Sequence, residues 1–137
     1  MITHSAEETI KAGEAFGKSL KPNAVVCFFG DLGAGKTTFI KGMARGFQKP
    51  NVEIEVNSPT FTYLNIYQGD VPLYHFDLYR LKDVDEFLMM GFDEVLEAGG
   101  ISCIEWSERL VPLDMSNYIK VEISHLGGDS RSINIKR

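Results

Sequence analysis

The sequence lacks the segments that direct a protein to a membrane or out of the cell. Its start, Met-Ile-Thr-His-Ser-Ala-Glu-Glu, has no basic region followed by an apolar stretch, so no signal peptide is indicated. The longest strongly apolar run, Ala24 to Phe29, is too short to span a bilayer. We therefore expect a cytoplasmic protein.

Positive charge and cysteine are also scarce. Lysine and arginine number 14 against 19 aspartates and glutamates, a formal net charge of -5, which counts against broad binding of a phosphate backbone by this chain alone. Cys27 and Cys103 each lie in an apolar run, which favours two reduced core thiols over a disulfide. With 137 residues, 44% of them hydrophobic, the chain suits one domain with one ordinary core and is not disordered.

Apolar patterning predicts a single α/β domain, residues 1–137, with a mixed sheet. Ser5 and Glu8 form a capping box, and the apolar face that follows predicts a helix from about Ala6 to Leu20. Ala24 to Phe29 is apolar at every position, as in a strand covered on both faces, and Ile101 to Ile104 is a second such run.

Other segments complete the predicted domain. Spaced apolar residues predict a helix from Phe39 to Phe47, with Gly46 as its C-cap. The remaining predictions are an exposed strand at Val52 to Val56, a hairpin of Phe61 to Tyr67 with Val71 to Phe76, helical pieces at Asp83 to Met90 and Phe92 to Leu96 separated by Gly91, and a terminal hairpin spanning Ile119 to Ile135.

One motif carries clear chemistry. Gly30-Asp31-Leu32-Gly33-Ala34-Gly35-Lys36-Thr37 fits the P-loop pattern G-x-x-x-x-G-K-[ST], in which the glycines let consecutive N–H groups surround phosphate oxygens. Lys36 is placed for the β and γ phosphates, Thr37 for Mg²⁺ and Thr38 for a further phosphate oxygen. A glycine-rich turn could match by chance, but a buried strand leads into this one and an amphipathic helix leaves it, as the motif requires.

A P-loop enzyme also needs a carboxylate near the metal, usually at the end of a neighbouring strand. Glu105 ends the Ile101 to Ile104 run, which we expect to lie beside the P-loop strand, and it is the candidate for the metal. Asp77 ends a strand that we place further out, with a role near metal or water. For either residue the alternative is a solvated carboxylate at a strand end.

Other polar and aromatic residues have two readings each. Thr60 follows a polar loop where NTPases place a threonine that senses the γ-phosphate, yet Ser-Pro before it is also ordinary turn chemistry. Trp106 adjoins Glu105 within plausible reach of a nucleotide, although single tryptophans usually serve packing. For Arg131, as for the other arginines, a surface ion pair is the alternative to a phosphate contact. We read His75 as a packed or edge histidine.

Four blocks of the sequence together resemble the bacterial TsaE (YjeE) proteins, along nearly the whole chain. The blocks are Gly-Asp-Leu-Gly-Ala-Gly-Lys-Thr-Thr (30–38), Asn-Ser-Pro-Thr-Phe-Thr (57–62), His-Phe-Asp-Leu-Tyr-Arg (75–80) and Ile-Glu-Trp-Ser-Glu-Arg (104–109). Many folds share the P-loop, whereas its combination with the third and fourth blocks is specific. The resemblance implies a P-loop ATPase fold and an ATPase required for threonylcarbamoyladenosine modification of tRNA beside the anticodon, acting with a TsaD–TsaB complex.

The resemblance also implies roles for individual positions. The backbone from Gly33 to Thr38 and Lys36 would hold the phosphates of ATP, with Thr37 and Glu105 around Mg²⁺. Thr60 would be the switch threonine, Asp77 would act in hydrolysis or metal support, and Trp106 would lie near the nucleotide. The remaining implied contacts, on the base or ribose side, are Ser5 and Arg131.

Two other functions share parts of this pattern. A small-molecule kinase uses the same P-loop and Mg²⁺, but it often brings arginines on a lid, and no basic lid cluster is visible here. A nucleotide-gated binding module would use ATP only to control a partner, without essential hydrolysis. A GTPase is disfavoured because the sequence has no Asn-Lys-x-Asp segment.

Overall fold

The structure is a computed structural model, and it describes residues 1–30, 35–47, 63–69, 71–110 and 116–137. Seven strands in this part of the chain form one sheet: β1 (Ile2–Thr3), β2 (Val25–Phe29), β3 (Leu64–Tyr67), β4 (Leu73–Asp77), β5 (Ile101–Glu105), β6 (Ile119–Gly127) and β7 (Ser130–Lys136). The helices are α1 (Ala6–Lys18), α2 (Lys36–Phe47), α3 (Val84–Met89), α4 (Phe92–Val95) and a 3-10 helix at Ser107–Leu110.

The strand order is β1-β7-β6-β2-β5-β4-β3. Strand β2 lies in the middle and is parallel to both neighbours, β5 and β6, and β4 continues the parallel set beside β5. The hairpin partners β3 and β7 pair antiparallel with β4 and β6. The sheet is therefore mixed, as predicted, and the carboxyl ends of β2, β5 and β4 meet at one edge.

Both faces of the central strands are covered. Because side chains alternate along a strand, Val26 and Phe28 join the apolar cluster formed with α1 and α2, whereas Val25 and Cys27 join the cluster that contains Phe87 of α3. This confirms the interpretation of a wholly apolar β2 as a strand with two buried faces, and it makes the domain three-layered.

Helices α1 and α2 approach each other backbone to backbone through glycines. A Cβ atom added at Gly13 would lie 2.2 Å from the carbonyl oxygen of Phe39, and one added at Gly42 would lie 2.1 Å from that of Ile10. A Cβ atom added at Gly46 would lie 2.4 Å from the carbonyl oxygen of Glu14. Gly46 lies inside α2, so the prediction of a C-cap there is wrong. The close approach leaves room only for hydrogen at these positions.

The other predicted elements agree with the structure, with small shifts of boundary. Helix α1 ends at Lys18 rather than at Leu20, and one half of its predicted capping box is present: the backbone N–H of Glu8 donates to Ser5 Oγ at 3.1 Å. The Glu8 carboxylate accepts from the N–H of His4, one residue before the cap. Strand β1 was not predicted, and the strand predicted at Val52 to Val56 falls outside the described residues.

Cys27 and Cys103 are buried and free, which confirms the prediction of two core thiols. Within the described ranges, no helix combines the length and the apolar character needed to cross a bilayer.

Candidate functional site

The turn between β2 and α2 begins and ends at glycines with positive φ. Gly30 has φ +144° and Gly35 has φ +98°, a backbone conformation in which a side chain would be strained. The carbonyl of Gly35 then accepts the N–H of Phe39 at 2.9 Å, which begins the hydrogen bonding of α2. The four residues between the two glycines, Asp31, Leu32, Gly33 and Ala34, lie outside the described residues, as does Thr60.

Lys36, the first residue of α2, is almost completely buried, with 5% of its surface exposed. Its ammonium donates to the carbonyl oxygen of Gly30 at 3.1 Å and lies 5.0 Å from the centre of the Trp106 ring. A cation over an indole face is attracted by the ring quadrupole. The lysine therefore bridges the end of β2 and the end of β5.

Trp106 follows β5 in a conformation that few bulky residues adopt. Its φ is +62°, which costs about 1–2 kcal/mol for a residue with a Cβ atom. The indole lies 5.0 Å from the ring of Tyr79, between centroids, and this contact and the one with Lys36 hold the strained residue in place. Such strain is concentrated at functional sites.

Glu105 ends β5 beside Phe28, on the strand next to the P-loop strand, as predicted. It is 5% exposed, and its Oε2 lies 2.6 Å from Nε2 of His75, which is completely buried. The carboxylate of Glu105 is thus buried and bonded to His75 rather than exposed to solvent. His75 is packed, as predicted, but its bond to this carboxylate was not foreseen.

Asp77 ends β4 directly beside Glu105 in the parallel pairing. Its Oδ1 accepts the backbone N–H of Tyr79 at 3.1 Å, the short-range bond typical of an aspartate that starts a turn. It is more exposed than Glu105. The two predicted carboxylates therefore meet at the same edge, at the ends of neighbouring parallel strands.

A shallow pocket lies on the other side of the first turn of α2. It is lined by Ala6, Thr9, Gly35, Thr38, Asp129 and Arg131. A Cβ atom at Gly35 would come within 3.3 Å of Arg131 Nε, so the guanidinium of Arg131 lies against the P-loop glycine. Ser5 neighbours the pocket in sequence, but its hydroxyl caps α1.

The predicted residues thus fall into two groups around the start of α2. Lys36, Glu105, Trp106 and Asp77 come together at the sheet edge, and Gly35, Thr38 and Arg131 line the pocket. Sequence reasoning did not foresee the contact of His75 with Glu105, or the position of Thr9 and Asp129 in the pocket. The His75 bond depends on strand register and leaves no local pattern, whereas the capping box directly before α1 was a signal that could have drawn attention to Thr9.

The described residues contain no cluster of three histidine, cysteine, aspartate or glutamate side chains that could enclose a metal ion. Mg²⁺ in nucleotide sites is usually held by one or two side-chain oxygens, with phosphate and water completing the shell. The partly buried Thr37 and the held carboxylate of Glu105 fit this smaller donor set.

The central parallel strand leads through a glycine turn into a helix that begins with a buried lysine, and a carboxylate ends the next strand. These features place this protein in the P-loop NTPase fold. The chain belongs to the TsaE family, whose model, described as threonylcarbamoyl adenosine biosynthesis protein TsaE, matches residues 3–133.

Relatives in this family match over nearly the whole chain. The tRNA threonylcarbamoyladenosine biosynthesis protein TsaE of Treponema pallidum is 36% identical over 98% of this chain and 97% of its own length. The protein of the same name in Bacillus subtilis is 39% identical over 96% of this chain and 80% of its own. The crystal structure of Bacillus subtilis YdiB superposes with a TM-score of 0.76 at 33% identity, covering 98% of this chain and 82% of that one.

Proposed function

We propose that this chain is a single-domain ATPase that binds Mg²⁺ and ATP and is required for threonylcarbamoyladenosine modification of tRNA beside the anticodon. Its work would be cytoplasmic, with a TsaD–TsaB complex that carries out the transfer and contacts the tRNA. The names of the relatives support the pathway. The contact of the buried Lys36 with Trp106, directly after Glu105, carries the proposal of nucleotide chemistry.

The proposed roles follow from this placement. Lys36 and the backbone N–H groups from Gly33 to Thr38 bind the phosphates, because a lysine and a helix N-terminus both favour phosphate oxygens. Thr37 and Glu105 hold Mg²⁺, which when bound neutralises charge on the β and γ phosphates. The burial of Glu105 suits this role, since a carboxylate already held by a hydrogen bond loses little freedom when it binds.

The remaining residues would complete the site around the nucleotide. Asp77, beside Glu105, supports hydrolysis or the metal, and Thr60 senses the γ-phosphate. Trp106 lies near the nucleotide through its contact with Lys36. Arg131, which lines the pocket on the other side of α2, and the Ser5 region would contact the base or ribose. In the proposed reaction, water attacks the γ-phosphorus, the bond to the bridging oxygen of ADP breaks, and ADP and phosphate leave.

The test is phosphate release from ATP with Mg²⁺, measured for the protein alone, with TsaD–TsaB, and with TsaD–TsaB and tRNA. We expect slow release alone and faster release with the complete set. A tRNA whose adenosine beside the anticodon is replaced by guanosine serves as the matched control and should reduce the stimulation.

Two outcomes would replace the proposal. Modification of tRNA that proceeds equally well with a nonhydrolysable ATP analogue would indicate a nucleotide-gated binding module. Phosphate release that does not respond to the partners would favour a small-molecule kinase, to be followed by a screen of acceptors.

A further inference from the structure

Apart from the two thiols, the buried ionisable side chains of the described residues lie close together. In the part of the chain that the structure describes, the ionisable side chains among the buried polar residues are Lys36, His75 and Glu105. His75 and Glu105 form a direct bond, and Lys36 contacts Trp106, the residue after Glu105. Lys36 and Glu105 therefore lie near the ends of β2 and β5, and His75 lies two residues before the end of β4.

The bond between His75 and Glu105 crosses two parallel strands on a diagonal. In the pairing of β4 with β5, His75 lies opposite Cys103, and Glu105 is two residues further along β5 on the same face. The imidazole therefore reaches toward the carboxyl end of the sheet. The ring of Tyr67 on β3 lies 6.3 Å from it, between centroids, and limits its movement on the other side.

The buried pair of His75 and Glu105 is not an effective way to stabilise the fold. A buried histidine and carboxylate lose hydration, and apolar side chains of similar volume often serve the fold as well. Nδ1 of His75 is buried with no hydrogen-bond partner among the described residues. Nε2 lies 2.6 Å from Oε2 of Glu105, so a proton on Nε2 is placed to be donated to the carboxylate.

We infer that His75 is a positioning residue, which orients the carboxylate of Glu105 toward the metal of the bound nucleotide. The contact with Nε2 engages Oε2 of Glu105, and Oε1 takes no part in it. Partners that orient a ligating carboxylate commonly matter almost as much as the ligand itself. This inference rests on the proposed function, because it assigns His75 to the same Mg²⁺ nucleotide site.

The experiment compares three substitutions by the affinity for the nonhydrolysable analogue AMP-PNP, with Mg²⁺ and with EDTA. His75→Leu removes the donor at similar volume, and His75→Gln retains an N–H close to the position of Nε2. Ser102→Ala removes another buried polar group from β5 without touching Glu105, and it is the matched control. Thermal unfolding of each variant reports on folding.

We expect His75→Leu to weaken binding of the Mg²⁺ complex about tenfold to a hundredfold and to leave binding in EDTA unchanged. His75→Gln and Ser102→Ala should bind both forms like wild type. An unchanged Mg²⁺ affinity in His75→Leu would overturn the inference. Equal losses with Mg²⁺ and EDTA in both His75 variants would also overturn it, because they would indicate a structural role.

A spectroscopic measurement covers the case in which His75→Leu does not fold. In wild-type protein, the downfield proton signal of the His75 Nε2–H, identified by its absence in His75→Gln, should shift on addition of AMP-PNP with Mg²⁺ and not with EDTA. If the protein binds the nucleotide but the signal does not shift with Mg²⁺, the inference is overturned and the proposed function is not. Failure of wild type to bind AMP-PNP at all would overturn the proposed function, and the inference with it.

Discussion

Lys36 is a buried cation whose ammonium contacts only a carbonyl and an aromatic ring among the described contacts. Although it is the first residue of α2, only 5% of its surface is exposed. Taking an ammonium out of water is costly, and the phosphate of the proposed nucleotide would compensate this cost.

We expect Lys36→Met to weaken nucleotide binding by about 1.5–3 kcal/mol, the typical value of a hydrogen bond to a charged group. The methionine keeps the apolar stem, so unfolding by urea should change little. Calorimetric titration with ATP and Mg²⁺ measures the effect, and Lys11→Met, an exposed lysine on α1, is the control. Wild-type affinity in Lys36→Met would remove Lys36 from the phosphate site.

Glu105 gives the second prediction at this scale. Glu105→Gln keeps the shape and an acceptor for His75 but removes the negative charge that a divalent cation prefers. We expect binding of ATP with Mg²⁺ to fall at least about tenfold, or 1.4 kcal/mol, with binding in EDTA unchanged or improved. Equal losses in both conditions would exclude Glu105 from the metal site.

The packing of α1 on α2 shows how an element supports the site at a distance. Because glycines let the two backbones touch, α1 packs directly on α2, the helix that begins where the glycine turn ends. A methyl group at Gly13 would meet the carbonyl oxygen of Phe39, three residues after Lys36, and backbone atoms cannot move aside as a flexible side chain does.

We expect Gly13→Ala to destabilise the protein by about 1–3 kcal/mol, the usual cost of overpacking, although the same change at an exposed helix position is stabilising. Urea unfolding measures the difference, with Glu7→Ala on the exposed face of α1 as the control. A stability equal to or above that of wild type would mean that the helices separate at little cost.

At the scale of helices and strands, features that depend on neighbouring residues were predicted better than features that depend on contacts between elements. The glycines of α1 permit its close packing against α2. Gly46 followed the rule that a glycine ends a helix, but here the demand for space at the helix interface decided its position inside α2. Strand β1 is two residues long and pairs with the far end of the chain, so no local pattern marks it.

The buried thiols of Cys27 and Cys103 lead to a prediction of how the stability of the whole protein depends on pH. Burial raises the pKa of Cys27 from 9.0 to about 11, and burial together with the charge of Glu105 raises the pKa of Cys103. The folded protein therefore keeps protons that the unfolded chain loses, so stability from the thiols is complete below about pH 9 and is lost as the pH rises toward 11.

We expect this loss to approach about 1.4 kcal/mol per pH unit for each thiol in that window. The check is the free energy of unfolding of wild type and of the variant with both Cys27→Ala and Cys103→Ala, from pH 7 to pH 10.5. The difference between the two should shrink with rising pH, and a constant difference would contradict the burial of the thiols.

Several features of this protein could be predicted from short stretches of its sequence. The P-loop spacing, the capping box at Ser5 and the uninterrupted apolar runs of β2 and β5 report interactions between residues close in the chain, so they predicted a parallel arrangement with Glu105 beside the P-loop strand. The bond of His75 to Glu105 and the contact of Lys36 with Trp106 depend instead on the order and register of strands. That order arises when the whole sheet is buried at once, and no single segment contains the information.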